Sequence, residues 1–158
     1  MTVALEYTSV QPEQTAAVGR YLGRILCCGD FLALSGPLGA GKTQLIKGIA
    51  LGLGVPADEP VVSPTFVLIR EYAGRLTLYH IDAYRLSGAA ELLALGLEEM
   101  MAEPCAVVAL EWADRAREAI PGHACRIDLE HVGPDTRRLR ICWNAPDRLA
   151  QLQALLRT

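Results

Sequence analysis

The sequence predicts an α/β domain built on a mixed β-sheet, and three observations predict it. An apolar run of strand length feeds a glycine-rich loop that opens a helical segment, two pairs of β-rich runs are joined by turn residues as hairpins, and a further apolar strand candidate follows helical patterning. With hairpins present, the sheet should not be a fully parallel, doubly wound one. Of the 158 residues, 51% are apolar and 21% charged, enough for one core and too little for two ordinary domains. A single domain over residues 1–158 is expected.

After Ser9, Pro12 and Glu13 suit a first helical turn, and Ala17, Val18, Tyr21, Leu22, Ile25 and Leu26 share one helical face, giving an amphipathic helix ended by Gly29. Phe31 to Ser35 reads as a buried strand, and a second helix runs from Lys42 to about Leu53. Phe66 to Tyr72 and Leu76 to Ile81 flank Ala73-Gly74 as an antiparallel hairpin. Helical patterning returns from Ala89 to about Met101, and Cys105 to Leu110 is a short continuous apolar strand ending at Glu111-Trp112. Cys125 to His131 and Arg137 to Trp143 alternate around Gly133-Pro134-Asp135 as a second hairpin. A terminal helix from Pro146 to about Leu156 completes the chain.

Composition excludes several functions. The longest apolar runs, such as Ala106 to Leu110, are far shorter than the roughly 20 residues a membrane span needs, and the N-terminus has no basic-then-apolar signal pattern. A cytoplasmic protein is expected. A net charge of −3 argues against a chain that wraps nucleic acid by itself, because phosphate neutralisation demands a basic face. Any nucleic-acid role should be indirect. The five cysteines (Cys27, Cys28, Cys105, Cys125, Cys142) are odd in number and lack C-x-x-C spacing, so free, mostly buried thiols are expected rather than a zinc site or a disulfide framework.

The most specific chemistry lies in Gly36-Pro37-Leu38-Gly39-Ala40-Gly41-Lys42-Thr43, a full G-x-x-x-x-G-K-[ST] phosphate loop set between a strand and a helix. The glycines let successive N–H groups turn inward around phosphate oxygens while the following helix presents its positive end. Lys42 would neutralise β and γ phosphates, and the Thr43 hydroxyl would coordinate a bridging Mg2+. Such a site also needs an acid at the end of a neighbouring strand. Two are available, Glu111 after the run Ala106 to Leu110 and Asp82 after Leu76 to Ile81.

Four segments in this order and spacing, GPLGAGKT at Gly36 to Thr43, SPTF at Ser63 to Phe66, YHIDAYRL at Tyr79 to Leu86 and LEW at Leu110 to Trp112, resemble one bacterial family. This is the ATPase family TsaE, also called YjeE, of tRNA threonylcarbamoyladenosine biosynthesis. The resemblance extends over nearly the whole chain. It implies a P-loop NTPase fold with a mixed seven-stranded sheet, binding of ATP and ADP with Mg2+, weak ATPase activity, and partnership with the TsaB–TsaD heterodimer that modifies adenosine in tRNAs reading A-starting codons. Carried over residue by residue, Lys42 and Thr43 match the phosphate and magnesium positions, Glu111 the metal-linked acid and Asp82 the acid needed for hydrolysis. Ser63 and Thr65 match a switch-like segment near the γ-phosphate, and Trp112 an aromatic beside the metal acid. Two positions depart from the family pattern, Pro37, where Asp or Asn is frequent, and Ala113, where Pro is frequent.

His80 and Asp82, two apart on a strand, share a face, which favours an orienting role for His80 over that of a base or ligand. His123 and His131 have no partner at ligand spacing. Arg85, Arg115 and Arg117 suit transition-state charge stabilisation and the solvation of a helix face equally well. Arg137, Arg138 and Arg140 split between the faces of their strand, which favours a solvated hairpin over a partner contact. The phosphate loop by itself is also compatible with a small-molecule kinase, although the chain has little room for an arginine-rich lid, and with a nucleotide-binding interaction module without turnover.

Overall fold

The computed structural model describes residues 3–62 and 68–157. One seven-stranded mixed sheet organises it, with β1 (Val3–Ser9), β2 (Phe31–Ser35), β3 (Ile69–Tyr72), β4 (Thr77–Asp82), β5 (Ala106–Glu111), β6 (Cys125–His131) and β7 (Arg137–Trp143) in the spatial order β1-β7-β6-β2-β5-β4-β3. The centre is parallel: β2 pairs with β5 and β6, and β4 pairs with β5. Both edges are antiparallel, through β1 on β7, β7 on β6 and β3 on β4. β4 and β5 are buried at nearly every position, as strands covered on both faces are. β6 and β7 alternate, with Ile127, Leu129, Leu139 and Ile141 buried and charged residues between them.

The helices are α1 (Pro12–Ile25), α2 (Lys42–Gly52), α3 (Ala89–Ala94), α4 (Leu97–Ala102) and α5 (Pro146–Leu156), with a 3-10 stretch at Ala113–Ala119 kinked at Ala116. Val18, Leu22, Leu45, Ile46 and Ile49 of α1 and α2 are fully buried in a core shared with β1, β6 and β7, each contributing about 1.5–3 kcal/mol of burial. α3, α4 and the 3-10 stretch cover the opposite face over β2, β4 and β5.

α1 and α2 pack backbone against backbone through paired glycines four residues apart. A Cβ on Gly19 would lie 2.1 Å from the Leu45 carbonyl oxygen, and one on Gly48 would lie 2.0 Å from that of Ala16. Gly23 and Gly52 meet one turn further on, with a Cβ on Gly52 2.2 Å from the Arg20 oxygen. No larger residue fits there, and the approach seats α2, which begins at Lys42 directly after the glycine-rich loop.

Several expectations need correction. The helix expected from Ala89 to Met101 is two helices, because Gly96 takes φ 96° and turns the chain between them. α1 stops at Ile25, with Leu26 already extended, ahead of Gly29. Cys105 precedes β5 in a left-handed conformation at φ 58°. β1 is a strand that the pattern reading passed over. The thiols are not mostly buried: Cys125 is, Cys142 is intermediate, and Cys27, Cys28 and Cys105 are exposed. Ser63, Thr65 and the expected strand start at Phe66 lie outside the described residues. No helix among those residues is long and apolar enough to cross a membrane.

Candidate functional site

The C-terminal ends of β2, β4 and β5 converge on one cavity of about 420 Å³. Parallel pairing makes this happen: β2 delivers the phosphate loop, while β4 and β5 end side by side with Asp82 registered opposite Glu111. Lys42, Thr43, Asp82, Glu111, Tyr84 and Trp112 all line the cavity.

The loop conformation depends on glycine. Gly36 has φ 152°, and a Cβ there would lie 2.5 Å from the Leu129 carbonyl oxygen of β6. Gly41, at φ 104°, caps α2 in the left-handed region where a side chain would be strained. Pro37 lacks an N–H, yet its carbonyl accepts from Ala40 N at 3.1 Å and from Lys42 Nζ at 3.0 Å, which closes the turn. Leu38 stands exposed at the tip.

Lys42 is buried and its ammonium also donates to the Gly36 carbonyl at 2.5 Å. It sits 4.0 Å from the centroid of the Trp112 ring, a cation–π contact. Burial pulls its pKa below the ordinary lysine value, opposed by the Glu111, Asp114 and Asp82 carboxylates. Trp112 has φ 58°, a left-handed conformation rare for an aromatic residue, and this turns its ring back over the loop. Tyr84 packs against it with ring centroids 4.9 Å apart, and the Arg115 guanidinium covers both rings at 5.0 and 5.6 Å.

The acids are held firmly. Thr43 Oγ1 donates to Glu111 Oε1 at 3.2 Å, and Glu111 Oε2 is 2.6 Å from His80 Nε2. Asp82 Oδ1 accepts the Tyr84 N–H at 2.9 Å, and its own N–H donates to the Leu68 carbonyl at 3.0 Å. Asp82 and Glu111 are both almost fully buried. The two oxygens of Thr43 and Glu111 stand 3.2 Å apart, close to an octahedral edge of about 3.0 Å for Mg2+–oxygen bonds of about 2.1 Å, so the pair fits that ion.

The structure also places residues at the loop that sequence reasoning did not. His131 Nε2 approaches the Leu38 carbonyl at 3.4 Å, and Arg137 donates to the Gly39 carbonyl at 3.3 Å. These are register partners at the ends of β6 and β7, and they brace the phosphate loop from the second hairpin. No local signal marks a contact made nearly a hundred positions away along the chain. A smaller concavity of about 200 Å³ opens beside them, lined by Thr15, Gln44, Asp135 and Arg137, and shares Gly39 and Gly41 with the main cavity. The rest of the arginine cluster faces elsewhere: Arg138 pairs with Glu130 at 2.7 Å on the exposed sheet face, and Arg140 lies across from Glu6 and Asp128. Among the three arginines considered for charge stabilisation, Arg115 lies over the Tyr84 and Trp112 rings, Arg117 lines a separate concavity with Asp114 and Asp128, and Arg85 is exposed.

A family model described as threonylcarbamoyl adenosine biosynthesis protein TsaE matches residues 9–139. The chain is 38% identical over 129 residues to the tRNA threonylcarbamoyladenosine biosynthesis protein TsaE of Treponema pallidum (strain Nichols), covering 82% of this chain and 93% of that protein. It is 40% identical over 136 residues to the protein of the same name from Bacillus subtilis (strain 168), covering 85% and 83% respectively. The crystal structure of YdiB from Bacillus subtilis superposes with a TM-score of 0.81 at 34% identity, covering 99% of this chain and 97% of that one.

Proposed function

Because the chain belongs to the TsaE family of tRNA threonylcarbamoyladenosine biosynthesis proteins, we propose that it is an ATP-binding, slowly ATP-hydrolysing auxiliary protein of that modification. It acts with the TsaB–TsaD pair and reaches tRNA only through them. The observation that carries this reading is the convergence of Lys42, Thr43, Asp82 and Glu111 in one cavity at the ends of three parallel strands. The net charge of −3 fits a protein that contacts tRNA indirectly.

The phosphates of ATP lie along the loop from Gly36 to Thr43, where backbone N–H groups and the start of α2 face them. Lys42 exchanges the Gly36 and Pro37 carbonyls for phosphate oxygens, retaining its contact with Trp112. Thr43 and Glu111 would hold Mg2+, which supplies positive charge against the β and γ phosphates when bound. Asp82 orients the attacking water and takes up its proton as the bond between the γ-phosphorus and its bridging oxygen breaks, yielding ADP and phosphate. His80 fixes the Glu111 carboxylate. The nucleoside extends past Gly39 into the concavity beside Thr15, Asp135 and Arg137. Ser63 and Thr65 belong to the switch-like segment near the γ-phosphate, on the family resemblance.

Phosphate release from ATP by the purified protein, alone and with TsaB–TsaD and tRNA, tests this reading. Slow turnover that changes severalfold with the partners supports it. Turnover that needs a small-molecule acceptor and ignores the partners would indicate a metabolite kinase, and absence of turnover in every mixture a passive nucleotide-binding module.

A further inference from the structure

At the opposite end of the sheet from the phosphate loop, two exposed cysteines from different segments meet. Phe31 of β2 is registered against Val108 of β5, and Cys28 and Cys105 each lie three residues before these partners, Cys28 in the turn that leads into β2. Backbone hydrogen bonds join the two segments where they enter the strands, with the register shifted by one because the Asp30 N–H turns to the Cys27 carbonyl. Val108 N donates to the Asp30 carbonyl at 3.1 Å and Gly29 N to the Ala106 carbonyl at 2.8 Å, so the residues that precede Gly29 and Ala106 are held side by side. Backbones joined by such bonds lie about 4.8 Å apart, which brings the side chains of the two segments within reach of each other.

Both segments are pinned independently. Cys27 N donates to Asp30 Oδ2 at 2.7 Å and Asp30 N to the Cys27 carbonyl at 3.1 Å, fixing the turn that carries Cys28. Arg148 clamps the same Asp30 carboxylate with two guanidinium nitrogens and stacks on Trp143 at 4.1 Å. On the other side, Thr77 N donates to the Cys105 carbonyl at 2.8 Å, holding Cys105 in its left-handed conformation at φ 58°. The Cys105 thiol is raised above its ordinary pKa, first by its hydrogen bond to the Cys28 sulfur, then by that sulfur's charge and by desolvation.

We infer that Cys28 and Cys105 form a redox-reversible disulfide that staples the base of β2 to the base of β5. The consequence reaches the site through the strands, because β2 ends at the phosphate loop and β5 ends at Glu111. In the oxidised protein the two strands that set the distance between Thr43 and Glu111 are covalently registered at their far ends. Oxidation by a peroxide proceeds in two balanced steps. The Cys28 thiolate attacks one oxygen of hydrogen peroxide, the O–O bond breaks, and a sulfenic acid and, after protonation, water result. The Cys105 sulfur then attacks the Cys28 sulfur, the S–O bond breaks, the thiol proton and hydroxide leave as a second water, and the S–S bond forms. A dithiol reductant reverses the change by exchange through a mixed disulfide.

The test treats the full-length protein with hydrogen peroxide, alkylates the remaining thiols and maps cross-linked peptides by mass spectrometry. The expected result is loss of two hydrogen atoms per monomer, a Cys28–Cys105 linked peptide, recovery of both thiols with dithiothreitol, and a rise in melting temperature of about 5 °C, because the closed loop is long. The Cys28→Ser variant should lose the link and the thermal shift, whereas Cys27→Ser should retain both. These two substitutions are at exposed turn positions, so the comparison stands even if Cys105→Ser does not fold. A Cys27–Cys105 or Cys27–Cys28 link, a disulfide between two molecules, or sulfinic acid at Cys28 without cross-linking would overturn the inference.

Discussion

His80 Nε2 lies 2.6 Å from Glu111 Oε2, with the histidine side chain wholly buried and the carboxylate 3% exposed. His80 Nδ1 has no hydrogen-bond partner among the described residues, so the imidazole's principal polar attachment is this acid. The ring thereby fixes which way the second oxygen of Glu111 points, and that oxygen is the one Thr43 touches.

Replacing His80 should act on metal use before it acts on folding. His80→Ala is expected to raise the Mg2+ concentration needed for ATP binding by about 10–100-fold, the usual cost of removing a group that orients a metal ligand. His80→Gln, which retains a donor, should recover part of the loss. A magnesium titration of ATP binding checks this, and an unchanged Mg2+ requirement in the alanine variant would exclude the orienting role.

The two acids should separate in their effects. Asp82→Asn is expected to cut turnover by about 10²–10⁴-fold while leaving affinity for Mg–ATP nearly unchanged. Glu111→Gln should instead weaken Mg2+-dependent binding, since it alters the carboxylate next to Thr43. Steady-state hydrolysis and equilibrium binding on the same preparations would show the division. Normal hydrolysis by Asp82→Asn would remove its assignment.

The glycine seam between α1 and α2 should tolerate nothing larger. Gly48→Ala places a methyl 2.0 Å from the Ala16 carbonyl oxygen, a contact relieved only by moving one helix off the other. The expected loss is about 2–4 kcal/mol in urea unfolding, together with weaker ATP binding because α2 carries Lys42 and Thr43. Gly122→Ala, where an added Cβ meets nothing within 4 Å, serves as the control.

Tyr79 should report a local alkaline transition. Its hydroxyl donates to Glu103 Oε2 at 2.5 Å, and this bond, followed by desolvation and the charges of Glu71 and Glu103, pushes its pKa up to about 12. A raised pKa means that the folded protein holds the proton longer than the unfolded chain. The contribution is therefore intact below pH 10 and fades as pH rises from about 10 to about 12. Ultraviolet titration should resolve one late-ionising tyrosine, and Tyr79→Phe should abolish that phase and flatten the stability profile in the same window.

Much of the fold was legible because local signals and tertiary demands agree. The phosphate loop, β2, the second hairpin and α5 announce themselves through glycine spacing, apolar runs, turn residues and Pro146. β1 also alternates, with Leu5 buried between exposed Ala4 and Glu6, but as an edge strand its few inward residues gave a weak pattern beside the long helix that follows. The break at Gly96 was concealed by continuous apolar periodicity on both sides. Within the site, Lys42, Thr43, Asp82 and Glu111 were readable from motifs at strand ends. The bracing of the loop by His131 and Arg137 was not, because a contact between distant segments leaves no trace in spacing.

The most direct measurement of the central claim is calorimetric titration of ATP into the protein with Mg2+ and with a chelator, on wild type and Lys42→Ala. One site per chain is expected, with affinity that depends on Mg2+ and falls by about 10–100-fold in the variant, as loss of a charge-assisted phosphate contact of about 1.5–3 kcal/mol requires. Equal binding with and without Mg2+, or full affinity in Lys42→Ala, would contradict the placement of Mg–ATP between the phosphate loop and Glu111.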